Sequence, residues 1–203
     1  MPVVEKQLDI MAVLKGETAH AHQQVERLMP FFAEGLSLKI YAQTLSALLG
    51  FFQPMEQKLA AISEWDAVGI DLAKRQRSHL LRADLRALGM AEPEISATPR
   101  CAHLPATGNW AAGFGCLYVL EGSTLGGKMI AHEMQRRFGI DQSSGASFFL
   151  SYGEDVGEMW RDFCRAVRAY VNTSARASFA VQAATETFQS LEAWIRKANT
   201  NGQ

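Results

Sequence analysis

Apolar residues recur along most of this chain at steps of three and four, the spacing of one face of an α-helix. The first run covers residues 8–29, where Met11, Leu14, Thr18, His22, Val25 and Met29 share a stripe that stops at Pro30. Ser37 is placed to cap a second helix, "LKIYAQTLSALLGFF", which Pro54 is expected to kink or interrupt before "MEQKLAAI". Residues 71–88 predict a third helix, stopped by Gly89. Pro93, Pro99 and Pro105 then mark a long connection between two helical halves. The second half holds a glycine-bearing helix over 109–138 and two more helices near 156–171 and 175–198. With no repeat, low-complexity tract or second hydrophobic unit, the expected fold is all-α, one multi-helix domain over residues 1–203.

Composition narrows the function classes. A chain of 203 residues with 48% hydrophobic positions can bury a substantial core. A net charge of -1 supplies no basic excess, so neither nucleic acid nor an anionic membrane surface is an expected partner. Cys101, Cys116 and Cys164 are odd in number and form no C-x-x-C pair, which speaks against a disulfide framework or a zinc knuckle. The first residues, "MPVVEKQLDIMAVLKGET", carry charges where a signal peptide would be apolar, so a cytoplasmic protein is expected.

The glycines are the first chemical clue. "GSTLGGK", residues 122–128, follows the phosphate-loop pattern G-x-x-x-x-G-K but places Met129 where a magnesium-binding hydroxyl belongs, and no parallel-sheet pattern surrounds it. "GFGCLY" fails as a dinucleotide fingerprint because Tyr118 occupies the third glycine position. The segment therefore reads as helix, and each interior glycine costs it about 1 kcal/mol against alanine. Gly122 and Gly126 lie four apart on one face, with Ser123 and Gly127 beside them. Such a face admits either a flat, bulky ligand or a closely packed neighbouring helix.

Histidine facing adds a second clue. His22 lies on the apolar stripe of the first helix, whereas His20 falls with Glu17, Gln24 and Arg27 on the polar face. Glu26, one turn after His22, is placed to orient its imidazole with Nε2 free. A lone inward histidine is compatible with a hydrogen-bonded core residue or with a metal ligand.

Three segments carry a resemblance. "LKGETAHAHQQVE", residues 14–26, with its T-x-x-x-H-x-x-x-E core, resembles the proximal helix of the heme oxygenase family. "YVLEGSTLGGKM", residues 118–129, is similar to that family's glycine-rich distal helix, and "FFLSYGEDVGEMWRDFCRAVRAY", residues 148–170, is a third match. The resemblance implies an all-α fold with heme between a proximal and a kinked distal helix. It implies cleavage of heme by dioxygen and external electrons to biliverdin, carbon monoxide and ferrous iron.

Carried over residue by residue, it implies that His22 binds the iron, Glu26 supports it, and Gly122, Gly126 and Gly127 leave room for oxygen. Many family members have aspartate beside the first distal glycine. This chain has Ser123, whose hydroxyl can hold a water but brings no carboxylate. Arg161, Arg165 and Arg168 share a helical face that is either solvated or a propionate clamp; the resemblance favours Arg161 and Arg165, with Lys15 and Tyr118, and mainly the α isomer of biliverdin. No nicotinamide or flavin fingerprint is present, so an external ferredoxin or reductase is expected as partner. The alternative is a heme-binding or heme-transfer protein on the same fold that does not turn over.

Overall fold

Each helix in this computed structural model starts and stops for local reasons that the sequence carries. The structure describes residues 9–63 and 65–201. α1 spans Ile10–Leu28, its first turn capped by the Asp9 carboxylate, which accepts from the Met11 amide at 3.2 Å. Leu8, the expected start of this helix, lies outside the described residues. The C-terminal end falls at Met29, directly before Pro30, as expected. Within α1 the Thr18 hydroxyl donates back to the Leu14 carbonyl at 2.6 Å, so this buried polar group is satisfied by its own helix.

α2, Leu38–Ala60, is capped by Ser37 through the Ile40 amide at 3.2 Å and runs unbroken through Pro54. A proline in a helix leaves the carbonyl four residues earlier without its partner. Here that carbonyl belongs to Gly50, and it accepts instead from the Cys101 amide at 2.8 Å. The lost intrahelical bond is thereby replaced by one that docks the proline-rich connection onto α2. Gly50 makes the approach possible, since a Cβ there would lie 2.4 Å from the Pro99 carbonyl oxygen.

Two expected helices are shorter than their patterns. The predicted 71–88 helix is helical only over α3, Ser78–Ala87; residues 73–75 form a short 3-10 turn. The cause is Glu56 on α2, whose carboxylate takes the amides of Arg77 at 2.7 Å and Ser78 at 3.1 Å and so fixes where α3 begins. The connection after Gly89 contains α4, Glu92–Ala97, in which Glu94 reaches back to the Ala91 amide at 2.9 Å.

The predicted 109–138 helix is two: α5, Trp110–Gly122, and α6, Gly127–Phe138, joined by a turn over 123–126. A further short helix, α7 at Ser147–Leu150, was not visible in the pattern. Its first amides are held by the buried Asp84 carboxylate of α3, at 2.8 Å from both Ser147 N and Phe148 N. Burial pushes the Asp84 carboxyl upward, and these hydrogen bonds oppose that shift. α8, Val156–Tyr170, and α9, Ser174–Asn201, close the chain where expected.

The assembly is all-helical among the described residues, with α5 at its centre and α9 lying along both α5 and α1. No helix among them is long and apolar enough to cross a membrane. Gly115 sets the α5–α9 spacing: a Cβ on it would lie 2.1 Å from the Ala180 carbonyl oxygen. Gly113 similarly admits Ile62 and Trp65. The first glycines of the distal segment thus serve helix packing.

This packing predicts opposite responses to one substitution. Gly115→Ala should destabilise the protein by about 1–3 kcal/mol, because overpacking outweighs the helix-propensity gain. Gly16→Ala, in α1 with nothing within 4 Å of its added Cβ, should stabilise it by about 0.4–1 kcal/mol. Urea unfolding midpoints of the two variants check the contrast.

Candidate functional site

Between α1 and the 123–126 turn lies a cavity of about 720 Å³, within the roughly 300–1,000 Å³ typical of small-molecule sites. Its floor is the α1 stripe, including Lys15, Thr18, His22 and Glu26; its roof carries Tyr118, Gly122, Ser123 and Gly126. Leu48, Phe51, Phe52, Phe148 and Phe149 form an apolar back wall. Trp160 is the α8 residue on the lining, and Phe188 and Leu191 come from α9.

His22 is 53% exposed, and it lines the cavity. The expected inward facing is therefore realised as a wall of a void rather than as packing in the core. Phe188 meets the imidazole edge-on at 5.5 Å between ring centres, which limits its rotation. Glu26 Oε2 stands 3.6 Å from Nδ1, beyond hydrogen-bond length but close enough to keep that nitrogen turned along the helix. Nε2 is the nitrogen left for a ligand. His20, by contrast, is exposed and engages Gln24 at 3.3 Å on the same helix.

The glycines of the distal segment divide cleanly. A Cβ at Gly122 or Gly126 would meet nothing within 4 Å, so both face open space on the cavity roof. Gly127 does not: its Cβ would fall 2.0 Å from the Phe149 carbonyl oxygen, and it is absent from the lining. Gly127 therefore belongs to the α6–α7 contact, and the expectation that it shares the open face is corrected. One helical step of about 100° separates it from Gly126.

Ser123 is already engaged. Its hydroxyl donates to the Leu120 carbonyl at 2.6 Å and accepts from Arg77 Nη2 at 2.9 Å. Arg77 is buried and stacks between the rings of Phe52 and Phe148, its carbon 5.3 and 5.0 Å from their centres. It also bonds the Leu120 carbonyl. Behind the turn, Glu121 is buried and receives Arg75 Nη1 at 2.5 Å and the Tyr152 hydroxyl at 2.7 Å. Burial and the Glu121 carboxylate push the Tyr152 hydroxyl upward, so it remains a donor. The charged side chains in this cluster were missed in the sequence. The available signal was a single acid, Glu121, at the end of the otherwise apolar α5.

The expected α8 clamp is not brought into the cavity. Arg161 folds back beside Gly157, and Arg165 pairs with Asp162 at 3.1 Å while staying 78% exposed. Trp160 takes the lining position, and the next residue points about 100° away. Lys15 is the one Lys or Arg on the lining among the described residues. Tyr118 lines it too; burial pushes its hydroxyl upward and the Thr18 hydroxyl beside it opposes the shift.

Chemically, the site offers one imidazole nitrogen on a cavity whose roof is open at Gly122 and Gly126, with apolar walls and one cation. Among the described residues no group of three His, Cys, Asp or Glu is placed to hold a metal ion. A metal coordinated by His22 would thus bring its other ligands with it.

Comparison with known proteins bears on the same site. The protein-family model described as Heme oxygenase matches residues 8–197. The chain is 33% identical over 153 residues to a heme oxygenase of Xanthomonas campestris pv. campestris strain 8004, covering 73% of this chain and 84% of that relative. Among solved structures, the heme oxygenase of Neisseria meningitidis with NO and CO bound is similar at a TM-score of 0.75 and 21% identity, covering 93% of this chain and 91% of that one. That of Leptospira interrogans gives 0.77 at 16% identity over 94% and 100%. Heme oxygenase-1 of the cyanobacterium Synechocystis, solved in complex with heme, gives 0.75 at 14% over 96% and 94%.

The division of the glycines is testable without any ligand. Gly127→Ala should lower the stability of the heme-free protein by about 1–3 kcal/mol through its collision with α7. Gly122→Ala should leave it within about 0.5 kcal/mol. Thermal and urea unfolding of both variants provide the measurement.

Proposed function

Because the chain belongs to the heme oxygenase family, we propose that it cleaves heme with dioxygen and external electrons to biliverdin, carbon monoxide and ferrous iron, residues 1–203 acting as one domain. The observation that carries this reading is the opposition of His22 to the open faces of Gly122 and Gly126 across one cavity. Bound heme supplies the oxygen-binding iron and the ring to be opened, and a ferredoxin or reductase supplies the electrons.

The chain's own groups have distinct tasks. His22 Nε2 would hold the heme iron, and Glu26 beside Nδ1 holds the imidazole in register. Gly122 and Gly126 leave the cavity roof open, so a bound diatomic ligand would fit where a side chain would exclude it. The aromatic back wall keeps bulk water away from the reacting edge. Ser123 Oγ has spent its single proton on Leu120 and one lone pair on Arg77, which leaves one lone pair to accept from a water. In this arrangement Ser123 positions a water and is not the proton donor.

The propionates fall to Lys15 and Tyr118 on the lining, with Arg161 and Arg165 as cations of the exposed α8 surface. A charge-assisted hydrogen bond is worth about 1.5–3 kcal/mol, whereas an exposed ion pair gives about 0–1 kcal/mol. Lys15 is exposed like Arg165 but lies on the cavity lining, so a propionate held there would pair with it before it reached the α8 surface.

Incubation of the purified protein with heme, oxygen and a reductant, followed by absorption spectroscopy, tests the activity: a biliverdin spectrum supports it, and heme that stays intact identifies a heme carrier instead. His22→Ala should lose the axial-ligand signature in the ferric spectrum and nearly all product, while His20→Ala keeps both. Equal losses in the two variants would end the proximal assignment.

The propionate pairing has its own check. Lys15→Ala should weaken heme binding by about fivefold and give mixed biliverdin isomers on chromatography. Arg165→Ala should change affinity by less than about fivefold.

A further inference from the structure

The distal turn depends on a buried cluster that does not touch the cavity. Glu121 directly precedes Gly122, and a carboxylate this deeply buried persists as a charge only with partners. It has two, Arg75 and Tyr152. Arg75 is fixed in turn by the Met159 carbonyl of α8, at 3.3 Å from both Nη atoms. Arg77 spans the remaining gap, its guanidinium carbon 6.0 Å from the Tyr152 ring centre while Nη2 holds Ser123. Hydrogen bonds around Glu121 and around Arg77, bridged by this cation–π contact, therefore connect α8, the segment before α3, Tyr152 and the C-terminal end of α5.

An independent observation lies on the other side of Tyr152. Ser151 adopts φ +44° and ψ −111°, and Gly153 follows at φ +61°. A non-glycine residue in that region is strained and persists only where the surroundings over-determine it. The strained step falls directly between α7 and the tyrosine that reaches Glu121. By contrast, the turn has little holding it from the cavity side, where Leu125 is exposed and Gly126 makes no close contact.

We infer that Tyr152 and Glu121 are positioning residues that hold the distal turn at a fixed height over the heme plane, and so commit oxygen to attack on the ring instead of release as hydrogen peroxide. The inference rests on the heme-cleavage reading for its catalytic half. Its structural half does not. In the coupled reaction the external electrons and protons end in biliverdin, carbon monoxide and water. In the uncoupled one, dioxygen takes two electrons from the donor and two protons from solvent and leaves as hydrogen peroxide, with heme intact. A turn that wanders lets solvent into the slot and favours the second route.

Tyr152→Phe removes one oxygen atom and keeps the ring under Arg77, so the fold survives it. Two measurements decide the matter. In the heme-free variant, hydrogen exchange at the amides of Thr124, Leu125 and Gly127, each bonded within the turn, should accelerate by roughly tenfold, while α1 amides keep their parental rates. With heme, the share of donor electrons recovered as hydrogen peroxide should rise at least severalfold and biliverdin should fall by a matching amount, with heme affinity within about twofold of the parent. Unchanged exchange at the turn, or equal acceleration in every helix, would overturn the positioning role. A loosened turn with an unchanged peroxide share would overturn its catalytic half. Should the parent form no biliverdin, the heme-cleavage reading fails, and the exchange pattern alone decides whether the cluster positions the turn.

Discussion

α5 has no solvent-facing side, and that constraint organises the molecule. From Ala111 to Leu117 every residue is buried, so partners must cover the helix all round. Close coverage is possible because Gly113 and Gly115 remove the Cβ atoms that would hold neighbours off. The helix then ends in a charge. Glu121 cannot remain in that interior unpaired, and the chain answers with Arg75 and the Tyr152 hydroxyl, while Arg77 turns inward beside them to hold Leu120 and Ser123. The interruption of α3's predicted start follows, since Arg75 and Arg77 cannot both turn inward from a regular helix whose faces rotate by 100° per residue. The roof of the cavity begins where this segment ends.

Periodicity alone made α1, α2, α8 and α9 legible, because each has one wet and one dry face. The T-x-x-x-H-x-x-x-E spacing likewise carried Thr18, His22 and Glu26 onto one stripe, and the cavity lines up along it. What stayed hidden depends on distant partners. α7 begins where it does because Asp84, some sixty residues earlier in the chain, offers a carboxylate to its first amides. Pro54 was expected to disturb α2 and does not, because an amide from another segment replaces the missing bond. The basic stripe on α8 had two readings, a solvated face or a clamp, and exposure of Arg165 with its Asp162 partner favours solvent.

Glycine illustrates why composition underdetermines a site. Five glycines between residues 113 and 127 look alike in sequence, yet three are there for a neighbouring chain segment and two for an open space. Helical phase separates the groups, and only contacts reveal which phase faces which. The same logic applies to histidine: His20 and His22 differ by two positions, about 200° of rotation, and that angle divides a surface hydrogen bond from a cavity wall.

The Gly50 carbonyl has an evolutionary consequence. Its bond to the Cys101 amide is written entirely in main-chain atoms, so any residue that carries an N–H and fits the buried site at 101 keeps the anchor. Position 54 has no such freedom. Any other residue there restores an N–H aimed at the same carbonyl, and the helix would compete with the connection for one acceptor. A proline that looks like a tolerated defect in α2 thus reserves an acceptor for a segment nearly fifty residues away.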